Sequence, residues 1–303
     1  MLVVRRLYDW SYEDTEHWVS DSLVLRQFCR VYLERVPDDT ALIRWAGLIG
    51  PSTLDRLNAR VVGLARQQRV TRGRTLRTDG TVVESTIRYP TDSSLLPDGV
   101  RVLGRLLRRA KAVVDQTLGE SKTLLRNRSR SAKRLARQIN ESARWRGEDA
   151  GDLRRAAYER LLAVTAATLH QARRVHEGLP DTGVADRLRH RLRNVVPLVD
   201  RVVEQTRRRV LGVETVPASE KLVSIVESHT AIIRRGKAGK PTEFGHKIWL
   251  DEVDGGITTR ATVLEGNPPE APQLLTSIAH HHHLFGHAPD LVTADRRLDS
   301  SSQ

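Results

Sequence analysis

Asp79 stands in "TLRTDGTVVESTIRYPTDSSLL", residues 75–96, inside a β-branched run and directly before Gly80. Two readings compete for this pair. Asp-Gly between apolar, β-branched segments is the signature of a tight hairpin turn. On an unbroken strand, the period of two instead sends Leu76, Gly80 and Val82 to one face and Arg77, Asp79, Thr81 and Val83 to the other. A carboxylate displayed that way can hold a hard cation at a sheet surface. The local residues leave both readings open.

Other residue types with chemical potential are less informative. His280 to His283, with His287, are metal-ligating in kind. Consecutive helical residues point in different directions, so four in a row cannot converge on one ion, and a surface or partly buried structural role is expected. Cys29 is the only cysteine, which excludes an internal disulfide and a thiolate-rich zinc site. It is expected to be a small buried hydrophobe.

The elements that must position these residues fall into four zones. Residues 1–72 read as a helical domain of DNA-binding type, with Ser20 or Asp21 available as an N-cap. Pro37, Asp39 and Thr40 of "PDDT" end one helix and start the next. Residues 73–97 hold the quoted strand, after which Pro90, Pro97 and "TDSS" are expected to prevent regular structure. Residues 98–215 are helical by apolar spacing, divided by "RGEDAGD" and "GLPDTG" into three or four long antiparallel helices. Residues 216–303 change to strands: "KLVSIVES", then "GHKIWLDEV" and "ITTRATVLEG" around an Asp254-Gly255-Gly256 hairpin. A helix through "PPEAPQLLTSIAHHHHLFG" and a short strand in "DLVTADRR" follow. The fold class is therefore α/β, a mixed sheet interrupted by an all-helical insertion.

The formal charge is +13, which points to a polyanionic partner such as nucleic acid. About 27 Lys and Arg against about 13 Asp and Glu lie between Arg101 and Glu214, so the excess belongs to the helical zone. Arginines on such helices are often simply solvated. Runs such as "RNRSRSAKRLARQ" are one-signed enough that one face of the bundle is expected to neutralise phosphates. A scaffold binding RNA or protein is the weaker alternative. No apolar run approaches the roughly 20 residues that span a bilayer, and the first residues lack the pattern of a signal peptide. A cytoplasmic location is expected.

The segments "TDGTVVESTIRYPTDSSLLPDGVRVL", "VSIVESHTAIIRRGKAGKPTEFGHKIWL" and "PDLVTADRRLDS" together resemble bacterial insertion-sequence transposases of the DDE type. The N-terminal "SDSLVLRQF" and "VPDDTALIRW" resemble the helical N-terminal domain of those enzymes. The resemblance implies a ribonuclease-H-like catalytic domain whose first aspartate lies on the first strand and whose second lies at the end of the fourth. Asp79 matches the first and Asp295 the second, both as catalytic residues and as ligands of two Mg²⁺ or Mn²⁺ ions. It implies phosphodiester cleavage and strand transfer on transposon ends and target DNA, commonly by a homodimer. It also turns the basic stretch "RRGKAGKPTEFGHK" into a candidate grip on the DNA backbone, through Arg234, Arg235, Lys237, Lys240 and Lys247. The bland role of those cations is to solubilise a hairpin. Glu243 is either a supporting acid near the metals or a structural one.

Two departures bear on activity. The family's third acid is a glutamate on a helix well beyond the second aspartate, and no glutamate follows Asp295 here; Asp299 follows it too closely to serve. Arg297 stands where the family usually has a glycine. The expectation is a C-terminally truncated transposase lacking the last strand and the Glu-bearing helix. The alternative is a catalytically inactive DNA-binding remnant.

Overall fold

In the computed structural model, which describes residues 1–114, 125–142, 144, 149–179, 181, 183–237 and 239–294, the N-terminal segment is helical. It comprises α1 (Leu2–Tyr8), α2 (Tyr12–Asp21), α3 (Leu23–Phe28), α4 (Asp39–Leu48) and α5 (Pro51–Gln67). The caps differ in detail from the sequence expectation. A box of Ser11 and Asp14 opens α2, which runs through Ser20 and Asp21. Ser22 caps α3 by accepting from the Leu25 N–H, and Asp38 caps α4 by accepting from the Ala41 N–H. No helix ends at Pro37, because α3 stops at Phe28 and irregular chain follows. Cys29 is half-buried, not enclosed.

Strand β1 spans Thr75–Glu84 and runs straight through Asp79 and Gly80, so the Asp-Gly pair is not a turn. Among the described residues, four long helices follow it, α6 (Asp92–Val114), α7 (Ser129–Ser142), α8 (Asp149–Gly178) and α9 (Gly183–Thr206). Their buried faces form one apolar core, including Leu96, Leu103, Leu161 and Leu192. Contrary to expectation, "TDSS" and Pro97 do not block regular structure: α6 begins at Asp92 and contains Pro97. Proline there forfeits one backbone bond near the helix start, while the buried Leu95, Leu96 and Val100 around it hold the helix to the core.

The remaining strands are β2 (Ala231–Lys237), β3 (Lys240–Val253), β4 (Ile257–Leu264) and β5 (Leu291–Ala294), with α10 (Ala271–Phe285) before β5. They join β1 in a five-stranded sheet of order β2-β3-β1-β5, with β4 also pairing β3. The expected turn at Asp254-Gly255-Gly256 is present, with both glycines at positive φ. The basic stretch "RRGKAGKPTEFGHK" lies on the antiparallel β2–β3 arm. "KLVSIVES" is not a strand. Its Leu222 and Ile225 belong to the helical core, and the Gln205 side chain accepts from the Leu222 N–H and donates to the Leu222 carbonyl. That pair of bonds satisfies the backbone as a ladder partner would.

Two units make up the chain, residues 1–79, 250–261 and 274 onward in one, and 80–249 with 262–273 in the other. No described helix is long and apolar enough to cross a membrane.

Candidate functional site

Alternation along β1 displays Asp79. Leu76, Thr78 and Gly80 are buried, whereas Arg77 and Asp79 are exposed, which is the strand reading of the sequence. β5 lies parallel to β1 in the register Thr75↔Leu291, Leu76↔Val292, Arg77↔Thr293 and Thr78↔Ala294. Parallel strands this far apart in sequence meet only through a crossover connection. The last described pair therefore directly precedes Asp79 on one strand; on the other the next residue in the chain is Asp295, which lies outside the described residues. Arg77, Thr78, Asp79, Thr293 and Ala294 line a cleft of about 280 Å³.

The Asp79 carboxylate is exposed and has no hydrogen-bond or ion-pair partner among the described residues. An unpaired carboxylate is the donor type that Mg²⁺ takes, usually one or two of them with waters and substrate phosphates. By itself it is not a metal centre: no group of three or more acidic, His or Cys side chains placed for a metal occurs among the described residues. The donor chemistry fits a hard divalent ion, and Asp79 is the one described carboxylate in the cleft.

The entry to β1 is pinned by Asp254, expected only as part of a turn, and by histidines of the run, in a structural role of the kind expected for them. The Asp254 carboxylate accepts from the N–H groups of Arg72 (2.8 Å), Arg74 (2.8 Å) and Thr75 (3.4 Å). Burial pushes its carboxyl up, but these three bonds with the Thr71 hydroxyl outweigh burial and leave it lowered. Within the histidine run, His281 is 1% exposed and donates through Nε2 to the Gly73 carbonyl at 2.9 Å. His287 Nε2 donates to the Arg72 carbonyl at 3.2 Å, and His282 and His283 are exposed. Only a hairpin turn was legible at Asp254; its reach to residues 72–75 has no local signal.

Burial lowers the proton affinity of His281, and the bond to the Gly73 carbonyl only partly offsets this. His280 is lowered as well, again first by burial. The folded state thus binds the proton less readily than the unfolded one. The stabilisation is complete above the ordinary value of 6.5 and is lost as pH falls from there toward the lowered folded value. His281→Gln, which keeps a donor for Gly73, is expected to flatten this acid branch of a melting temperature against pH profile, with His280 supplying the remaining slope. An unchanged slope would place the acid sensitivity elsewhere.

The five basic candidates divide. Arg234 is exposed on β2 and its guanidinium has no described partner; its backbone carbonyl accepts from Asn267. Arg235 and Lys237 belong to β2, with side chains outside the described set. Lys240 is exposed and paired with Glu84. Lys247 is 5% exposed, with Nζ 3.0 Å from Glu270 and donating to the Pro268 carbonyl at 2.8 Å. Its ammonium is engaged in the interior and is not offered to a phosphate. Glu243 is buried on the same face of β3.

A basic surface that the charge count could not resolve lies on α7. Arg130, Lys133, Arg134 and Arg137 are all exposed, and their spacing stacks them along one helix face. None has a described acidic partner, while Ala132, Leu135 and Ile139 are buried on the other face. No family model matches this chain, and neither a curated protein nor a solved structure matches it.

Proposed function

We propose that the chain is a DNA transposase of the DDE type, with a ribonuclease-H-like sheet on which Asp79 and Asp295 hold Mg²⁺ or Mn²⁺. The observation that carries this reading is the parallel β1–β5 ladder, whose last described pair, Thr78↔Ala294, is followed in each chain segment by one of the two aspartates. Arg77, Thr78 and Asp79 thereby share one cleft with Thr293 and Ala294, although the helical insertion separates them in sequence.

The chain's own groups have separable roles in this reading. Asp79 presents carboxylate oxygens, and Arg77, on the same strand face, offers a cation to a DNA phosphate. The α7 stripe and Arg234 hold the backbone of the duplex, fixing position without reading sequence. Divalent ions bound there would supply an activated oxygen nucleophile and stabilise charge on the leaving oxygen.

A second reading, DNA binding without cleavage, is favoured by the single described carboxylate in the cleft. Duplexes made from the DNA flanking the coding sequence, incubated with the chain and Mg²⁺ or Mn²⁺, separate the two. Nicking supports the enzyme; salt-sensitive binding with no nicking supports the binder; absence of both sinks the proposal. Changing Arg130, Lys133, Arg134 and Arg137 together to Gln is expected to reduce the slope of log affinity against log salt by about 3 to 4. An unchanged slope would remove α7 from the interface.

A further inference from the structure

We propose that the cleft between the β2–β3 arm and the start of α6 binds a nucleoside phosphate unit with an unpaired base. The cavity measures about 170 Å³, which gives room for a ring system. Tyr89 stands at its rim, 72% exposed, and is braced edge-to-face by Phe244, with ring centroids 5.6 Å apart. The bracing fixes the tyrosine ring while leaving it open to solvent, which is what a stacking platform for a base requires.

The charge of the cleft suits the phosphate. Asp92 is buried, and Arg209 takes it up through Nε at 2.7 Å and a second guanidinium nitrogen at 2.6 Å, so that pair is neutral. Lys221 and Arg234 also line the cavity, and neither side chain has a described partner. Two uncompensated cations beside an aromatic rim form a site for an anion carrying a flat ring. Leu95 and Leu222 at the floor add apolar surface without competing donors.

This deepens the DNA-binding half of the proposed function and is independent of cleavage. Calorimetric titration of the full chain, without metal, uses deoxyadenosine monophosphate, a short single-stranded oligonucleotide and inorganic phosphate as probes. At least one nucleotide probe is expected to bind a single site, with Tyr89→Ala and Arg234→Gln each weakening it about tenfold or more and Tyr89→Phe retaining it. Binding of the mononucleotide identifies free nucleotide as a sufficient ligand; binding of the oligonucleotide alone identifies a strand. The inference is overturned if neither binds, if inorganic phosphate binds as well as the nucleotide, or if both weakening variants leave affinity unchanged. Salt-sensitive duplex binding that persists in the last three cases would leave the proposed function standing while this site falls.

Discussion

Asp79→Asn is expected to lower metal-dependent nicking by at least about 100-fold, with duplex affinity and melting temperature unchanged. The magnitude follows from removing a charged oxygen donor outright, since even outer partners of metal ligands cost 10- to 100-fold when changed. The side chain is exposed and has no described partner, so the near-isosteric amide takes nothing from folding; surface changes of this kind stay within about 0.5 kcal/mol. In the proposed reading, binding is carried by cations on α7 and β2, which the change does not touch, and loses one nearby anion. Parallel measurement of nicking, affinity and melting separates a lost ligand from a damaged fold. Full nicking by Asp79→Asn would move the chemistry away from the β1–β5 cleft and remove the observation on which the enzyme reading stands.

The site was legible where period and chemistry agree. Alternation around Asp79 gave its face, and only the Asp-Gly pair argued for a turn; a strand with neighbours on both sides, β3 and β5, overrides that local preference. "GHKIWLDEV" carries the same period, with Gly245, Lys247, Trp249, Asp251 and Val253 all buried. The pattern therefore pointed Lys247 inward, but its residue type suggested solvent, and Glu270 lies beyond β4, where no spacing rule connects it to Lys247. "KLVSIVES" failed for the opposite reason. Its pattern signals burial, which holds for Leu222, Val223 and Ile225 but not for the exposed Val226, yet Leu222 and Ile225 pack against helices and the Leu222 hydrogen bonds go to Gln205. Pro97 was read by a local rule that holds in isolation and yields to a helix anchored by buried leucines. The pairing of β1 with β5 has no local signal at all and became an expectation only through resemblance.

Glu270→Ala is expected to destabilise the fold by about 3–5 kcal/mol, because it strands a buried ammonium that forms an ion pair with no other described acid. Lys247 and Glu270 side chains are 6% and 17% exposed, too enclosed for water to replace the lost partner fully. The remaining bond to the Pro268 carbonyl satisfies one of three donors and none of the charge. For a unit of this size the loss corresponds to a fall in melting temperature of roughly 10 °C. Replacing both members, Lys247→Met with Glu270→Leu, removes the stranded charge along with the pair and is expected to lie near the parent in stability. The double change also decides the role of Lys247. If its ammonium is structural, the double variant binds duplex DNA with the parent's salt slope. If Lys247→Met alone flattens that slope by about one unit at no cost in stability, the ammonium reaches a phosphate after all, and the buried pair does not hold in solution.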